Sequence, residues 1–297
     1  MRVFVTGSTG YIGSAIVKNL VQAGHQVVGL VRSPEKEAAL KGLGGTPVRG
    51  DMKSLPPVVS DCDGVIHAAF EMSAKGSEVD RSVVSALLAA AKGRGKALVY
   101  TSGVLVLGAT GDTPADEQSS TAKAFPPVAW RPGVEKVALD GATDSLATAV
   151  IRPGFVYGAA NGLVGGYFAT ATKDGAAAYV GDGGNRMSFV HRDDLAQLYR
   201  LVLEQRARGV FHGVDGGAPR IRELAKAASE VAGKGGATKS IPVEAARQQS
   251  GPFAEALCLD QVVVSKRAGE VGWKLAHPAL PGGLAETFQE WKAAATR

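Results

Sequence analysis

The chain has 297 residues, of which 45% are hydrophobic and 21% charged, with a net charge of +5. This balance predicts one large globular domain or two small ones, and it excludes a disordered or bilayer-spanning chain, because no apolar run reaches the length of a membrane helix. Lys and Arg are spread in short groups, which argues for a solvated basic surface and against a nucleic-acid interface.

Val3, Phe4 and Val5 form the first apolar, β-branched and aromatic run, as a buried strand does. Gly7, Gly10 and Gly13 follow at three-residue spacing, with an amphipathic helix behind them that carries Ile12, Ile16, Val17 and Leu20 on one side and Lys18 and Asn19 on the other. Glycines let the backbone turn tightly against a pyrophosphate, and free N–H groups at a helix start favour its charge. Gly7, Ser8, Thr9, Gly10, Tyr11, Ile12 and Gly13 are therefore read as the cradle of a dinucleotide. The strand before and the helix after disfavour the plainer reading, a turn with incidental glycines. His25 to Val31 reads as a second strand. About 20 residues after the glycines, where NAD-binding units place an acid for the ribose hydroxyls, stands Arg32, followed by Ser33 and Lys36. A carboxylate repels a 2′-phosphate whereas a guanidinium forks onto it, so NADP is expected over NAD. The alternative is a strand-end arginine that merely meets solvent.

Thr46 to Gly50 predicts a third strand, and Asp63 to Phe70 a fourth that is nearly all apolar, as in a parallel sheet covered on both faces. His67 in that strand reads as a packing histidine before an acid or base. Ser77 to Lys92 predicts a long helix ended by Gly93 and Gly95, apolar on more than one side, and so either sandwiched in a monomer or shared with a partner. Ala97 to Ser102 is a fifth strand and leads into a polar loop that runs to Pro127. Trp130 to Leu139 reads as a helix with Pro132 in its first turn, and Leu146 to Val156 as a sixth strand running into Tyr157-Gly158. Strict alternation then stops. A Gly- and aromatic-rich stretch (Gly162 to Phe168), a short strand (Ala177 to Val180) and a glycine turn (Gly181 to Arg186) come next. Asp194 is expected to N-cap a helix from Leu195 to Glu204, and Gly209 to Val214 to return to the sheet. From Arg220 onward two or three helices, a short strand near Ile241 and an amphipathic tail helix complete the chain. Cys62 and Cys258 lie outside any C-x-x-C or metal spacing, so reduced thiols and no metal are expected. The chain opens directly in a strand, which points to a cytoplasmic protein.

The G-x-x-G-x-x-G spacing resembles the extended short-chain dehydrogenase/reductases, the epimerase/dehydratase and dihydroflavonol-reductase group, and the resemblance covers nearly the whole chain. It implies that Gly50-Asp51-Met52 forms the turn holding the adenine. It also implies that Ala68, Ala69 and Phe70 approach the cofactor closely, with Thr101 at the neighbouring strand end. In R-P-x-x-x-Y-G (Arg152 to Gly158), Pro153 would lie against the nicotinamide. Val190-His191-Arg192-Asp193-Asp194 and Glu270 to Leu275 are similar to further family segments. Family members commonly form homodimers through the long helix and the next one.

The family's reaction uses a Ser and a Tyr-x-x-x-Lys pair, in which Tyr moves the proton and Lys lowers its pKa and holds the ribose. No tyrosine here has a lysine four residues later. Alignment on Glu135 puts Arg131 where Lys belongs and Pro127 where Tyr belongs, and alignment of strand five puts Gly103 at the Ser position with Ser102 just before it. Arg131 retains positive charge for the ribose but is a poor acid. Candidate stand-in donors are Tyr157, Tyr167, Ser102 and His191, in that order.

The expected fold is a doubly wound Rossmann-type α/β sheet with a smaller lobe. Residues 1–160 and 185–215 would form the dinucleotide domain, and 161–184 and 216–297 the substrate lobe. Leu163, Val164, Tyr167, Phe168, Tyr179, Met187 and Phe189 are expected to line an apolar cleft. The first functional reading is an NADP-dependent oxidoreductase acting on the carbonyl or hydroxyl of a small apolar molecule. The second is a catalytically silent redox sensor that works through a protein partner. A nucleotide-sugar epimerase is third.

Overall fold

A computed structural model of the chain describes residues 1–71, 73, 75–91, 93 and 95–295. The first half alternates strictly: β1 (Arg2–Thr6), α1 (Tyr11–Gln22), β2 (Gln26–Val31), α2 (Pro34–Gly42), β3 (Thr46–Arg49), β4 (Gly64–His67), α3 (Gly76–Ala90), β5 (Lys96–Thr101), α4 (Arg131–Asp140) and β6 (Leu146–Pro153). Then come β7 (Phe155–Tyr157), α5 (Gly162–Asp174), β8 (Ala177–Val180), β9 (Phe189–His191), α6 (Arg192–Glu204) and β10 (Gly209–Gly213). The remainder holds α7 (Ile221–Val231), β11 (Thr238–Ile241), α8 (Val243–Ser250) and α9 (Leu284–Ala295).

Seven strands form one parallel sheet in the order β10-β6-β5-β4-β1-β2-β3. The chain builds outward from β1 to β3, then returns to β4 on the other side of β1. At such a reversal two loops leave the carboxyl ends of neighbouring strands in opposite directions and open a crevice between them. The sheet is covered on both faces, which is why its strands read as continuous apolar runs. On one face Ile16 and Leu20 of α1 and Leu195, Leu198 and Val202 of α6 pack with Val3, Val5 and Ile66. On the other, Val83, Val84 and Leu87 of α3 and Val134 and Ala138 of α4 pack with Phe4, Val65 and Leu98.

Several sequence expectations are corrected by the structure. The sixth strand breaks at Pro153-Gly154: β6 stays in the large sheet, whereas β7 pairs with β9 in a separate two-stranded ribbon. Gly162 to Phe168 is the start of helix α5, with Val164, Tyr167 and Phe168 buried. The loop after β5 is not merely polar. Val104, Val106 and Leu107 form a 3-10 turn that packs with Ala115, Phe125 and Val128 as a further small core. Helix α6 starts at Arg192 and is capped by His191, whose Nδ1 accepts from the Asp193 N–H at 3.3 Å. Asp194 instead accepts from the Ala276 and His277 backbone N–H groups at 2.9 and 3.2 Å, tying the chain's last third to the sheet. The long helix is described to Ala90, and Lys92 lies outside the described residues. Both cysteines are free, and among the described residues no helix is long and apolar enough to cross a membrane.

Candidate functional site

The glycine turn sits at the carboxyl end of β1, beside the reversal point. Gly7 has φ +68°, and a Cβ there would meet the Ala68 carbonyl oxygen at 2.6 Å, so the turn and the end of β4 press together. Helix α1 begins at Tyr11, which places Gly13 inside its first turn, where a Cβ would lie 2.0 Å from the Gly7 carbonyl oxygen. Gly10 caps the helix without any side chain, and no acidic residue occupies the first turn. The first amides of α1 are therefore free of a side-chain partner, and they point where an anion is best stabilised. Such a cradle fits the pyrophosphate of a dinucleotide.

The side chains around the turn take differing roles. The Ser8 hydroxyl is buried and faces the Leu30 carbonyl at 3.4 Å, so Ser8 offers the site only backbone; Thr9 is half-buried and Gly10 exposed. The Tyr11 hydroxyl donates to the Gly158 carbonyl at 2.8 Å, with the Arg192 guanidinium over its ring, and burial pushes its pKa upward. It clamps the turn to the loop after β7. Arg32 stands exposed at the end of β2, with no ion pair or hydrogen bond among the described residues. Ser33 is the N-cap of α2, accepting from the Lys36 N–H at 3.4 Å. Asp51 is exposed and accepts from the Lys53 N–H at 2.8 Å, while Met52 packs against the core beside Leu30. Ala68 and Ala69 are half-buried next to the glycines.

Beyond the turn opens a cleft of about 880 Å³ at the carboxyl ends of β4, β5 and β6. Of the residues singled out from sequence, Ile12, Phe70, Ser102, Arg131 and Pro153 line it together. Thr101 lies just behind, its hydroxyl accepting from Tyr199 at 2.7 Å and its carbonyl from Arg131 Nη1 at 3.1 Å. Arg131 opens α4, and its guanidinium lies 5.0 Å from the Phe70 ring centre and 4.7 Å from that of Trp130. Ser102 is 8% exposed and its hydroxyl has no hydrogen-bond partner. A buried polar atom left unpaired on a cleft wall is costly unless a ligand completes it.

Tyr157, Tyr167 and His191 are not brought to this cleft. With β7 diverted into its own ribbon, the Tyr157 hydroxyl donates to the Pro278 carbonyl at 3.3 Å. Tyr167 is buried in the core of α5, and burial raises the pKa of both phenols. The His191 Nε2 pairs with Glu290 of the tail helix at 3.0 Å, and its ring stacks on His277 at 3.6 Å. The Asp194 carboxylate, 3.2 Å from His277 Nδ1, raises the His277 pKa. Tyr157 and His191 thus tie to the last third of the chain, and none of the three lines the cleft. The apolar residues expected to line it, Leu163, Val164, Tyr167, Phe168, Tyr179, Met187 and Phe189, build that same core instead. The walls are supplied by Val104, Leu105, Val128, Trp130, Phe155 and Phe253. The run V-L-V-L at 104–107 was a readable signal, since consecutive apolar residues in a polar loop need a place to pack. Phe253 carried none.

An all-parallel sheet that reverses at β1, an uncapped glycine turn and a cleft at the strand ends define a dinucleotide-binding α/β protein. A family model described as the NAD dependent epimerase/dehydratase family matches residues 3–213, and the chain belongs to that family. It is 35% identical over 302 residues to the Schizosaccharomyces pombe protein C2A9.02, covering 96% of this chain and 98% of that one. It is 30% identical over 231 residues to the 2-alkyl-3-oxoalkanoate reductase of Stenotrophomonas maltophilia, covering 70% and 67% respectively. Among solved structures, the dTDP-glucose 4,6-dehydratase of Bacillus anthracis in complex with NAD superposes with a TM-score of 0.81 at 19% identity, over 99% of both chains. A human epimerase family protein with NADPH superposes at 0.79 and 23% identity, over 97% of this chain and 99% of that one. At those identities the structural likeness establishes the fold.

Proposed function

We propose that the chain is an NADP-dependent oxidoreductase that moves hydride between the nicotinamide and the carbonyl or hydroxyl of a small apolar molecule. The observation that carries the reading is the cleft itself: walls of Ile12, Val104, Leu105, Val128, Trp130, Phe155 and Phe253, with the hydroxyls of Ser73, Ser77 and the buried, unpaired Ser102 and the Arg131 guanidinium as its polar side chains. A pocket lined by aliphatic and aromatic groups with a few convergent polar atoms suits a small ketone better than a sugar nucleotide. The reductase activity named for the Stenotrophomonas relative accords with this.

In this reading the cofactor spans the glycine turn, with its adenine end toward Arg32 and Asp51 and its nicotinamide toward Pro153. When bound it supplies the hydride. The Ser102 hydroxyl donates a hydrogen bond to the substrate oxygen, and Arg131 supplies positive charge beside the negative charge developing there or to the ribose. A guanidinium gives charge and N–H donors but no proton. Among the described residues no tyrosine lines the cleft, and in this reading water supplies the proton that completes the alcohol. The substrate lobe consists of residues 161–184 and 216–297, and it contributes Phe253 to the cleft.

Titration with NADPH, NADP⁺, NADH and NAD⁺ tests the cofactor, followed by a screen of alkyl and aryl ketones read by oxidation of NADPH. Arg32→Glu is expected to weaken NADPH at least tenfold and leave NADH unchanged or tighter; equal loss of both would remove Arg32 as the phosphate reader. A second reading, a redox sensor without turnover, is favoured by the absence of a cleft tyrosine. It requires a large preference for one redox state, because a ligand that binds two states equally shifts nothing.

A further inference from the structure

Behind the cleft wall a line of side chains that the proposed chemistry does not use leads to Arg131. The Thr6 hydroxyl lies 2.6 Å from His67 Nδ1, and His67 Nε2 lies 3.1 Å from Asp80 Oδ1. The Tyr100 hydroxyl donates to Asp80 Oδ2 at 2.6 Å, and Arg131 Nη1 donates to the Tyr100 oxygen at 3.5 Å. Thr6 and Tyr100 are 0% exposed, His67 1% and Asp80 4%. These groups come from the ends of β1, β4 and β5, from α3 and from the first residue of α4.

The direction of each hydrogen bond follows from the groups available. A guanidinium can only donate, so the Tyr100 oxygen accepts from Arg131 while its proton goes to Asp80. With Nε2–H directed at the other carboxylate oxygen, His67 Nδ1 is left to accept from Thr6. Both Asp80 oxygens are thereby held, and the carboxylate faces the cleft's cation through a single phenol. A buried carboxylate is expensive unless it is paired, and α3 could have carried an apolar residue here. Only Nη1 of Arg131 is engaged from behind. Its Nε and Nη2 have no acceptor among the described residues, and the guanidinium is wedged against Phe70 and Trp130.

We propose that Asp80, acting through Tyr100, is a positioning residue that fixes the Arg131 guanidinium in the cleft wall with its remaining N–H groups turned toward bound cofactor. The proposal rests on the oxidoreductase reading, since it needs a dinucleotide for Arg131 to hold. It separates the two tasks of the missing Lys: charge comes from Arg131, and its placement comes from a carboxylate on another helix.

The test is NADPH affinity, read by nicotinamide fluorescence, for the intact chain and for Asp80→Asn, Tyr100→Phe, Arg131→Ala and the double variant Tyr100→Phe/Arg131→Ala. Each single variant is expected to weaken NADPH about tenfold, the scale of one hydrogen bond to a charged group. Tyr100→Phe is expected to add less than twofold once Arg131 is gone, since nothing remains to be positioned. An equal factor in both backgrounds means a merely structural phenol and overturns the proposal, as does normal affinity in Arg131→Ala. If Tyr100→Phe does not fold, Asp80→Asn in the same two backgrounds gives the same decision. Failure of the unaltered chain to bind any dinucleotide would remove the oxidoreductase reading itself, a different result from additive variants.

Discussion

Replacing Glu135 by Gln is expected to destabilise the fold by about 3–5 kcal/mol, far more than an exposed ion pair would. Glu135 lies on α4, one turn beyond Arg131, and Arg152 immediately precedes Pro153 on β6, so their pairing locks two walls of the cleft to each other. Arg152 donates from Nε to Glu135 Oε1 at 3.0 Å and from Nη2 to Oε2 at 2.6 Å, with side chains 6% and 4% exposed. Its third contact is His212 Nε2 at 3.5 Å; burial, together with the Arg152 charge, holds the His212 pKa down, so that ring is an acceptor there. The His212 Nδ1–H is already given to the Val264 carbonyl at 3.0 Å. Once Glu135 loses its charge, the guanidinium keeps only neutral acceptors in direct contact, the glutamine amide oxygen and His212 Nε2. Arg152→Met strands the carboxylate in the same way. The double variant Glu135→Leu/Arg152→Met removes both charges and is expected to recover most of the loss, because the Coulomb gain of a buried pair roughly offsets its desolvation. Urea unfolding of the three variants, with slopes compared to confirm a common unfolded state, measures this. A single substitution costing under about 1 kcal/mol, or a double variant costing the sum of the singles, would refute the reasoning.

Three other outcomes are expected. Ser102→Ala should lower kcat/KM on the identified ketone by about 100-fold, the scale of one lost oxyanion donor, while leaving stability nearly unchanged because the hydroxyl has no protein partner; unchanged turnover would take Ser102 out of the reaction. Gly13→Ala should weaken NADPH binding at least tenfold, since its Cβ must displace the Gly7 carbonyl 2.0 Å away, and normal binding would show that the turn can move. Burial raises the Asp215 pKa to about 6 from 3.8. The folded state therefore holds that proton more tightly, and the resulting stability is full below pH 3.8 and lost as pH rises through 6. Between pH 4.5 and 7.5 the loss is about 2 kcal/mol. Asp215→Asn should thus gain on the parent protein across this window in paired denaturation curves, and a pH-independent difference would contradict the shift.

Legibility from the sequence differed sharply between the two halves of the candidate site. The glycine turn, Arg32, Phe70, Ser102, Arg131 and Pro153 could all be picked out because each stands at the end of a recognisable strand or the start of a helix. In a doubly wound sheet those ends converge. The donors proposed from the second half, Tyr157, Tyr167 and His191, were equally apolar in context and equally near family motifs, yet the break at Pro153-Gly154 turned all three away from the cleft. β7 pairs with β9 outside the large sheet, and Tyr157 and Tyr167 pack with α5 and α7, whereas α6 and β10 return to the sheet.

The amino-acid sequence by itself determined the parallel sheet, its first five strands and the glycine turn before α1, because strand runs, glycine conformations and helix starts are properties of a few contiguous residues. Only the tertiary structure decided which side chains face the cleft. Phe253 reaches it from a distant turn, and Asp80 reaches Arg131 through Tyr100 across three elements. Whether a tyrosine or a carboxylate is buried, paired or presented to a ligand depends on neighbours that the chain brings together only on folding.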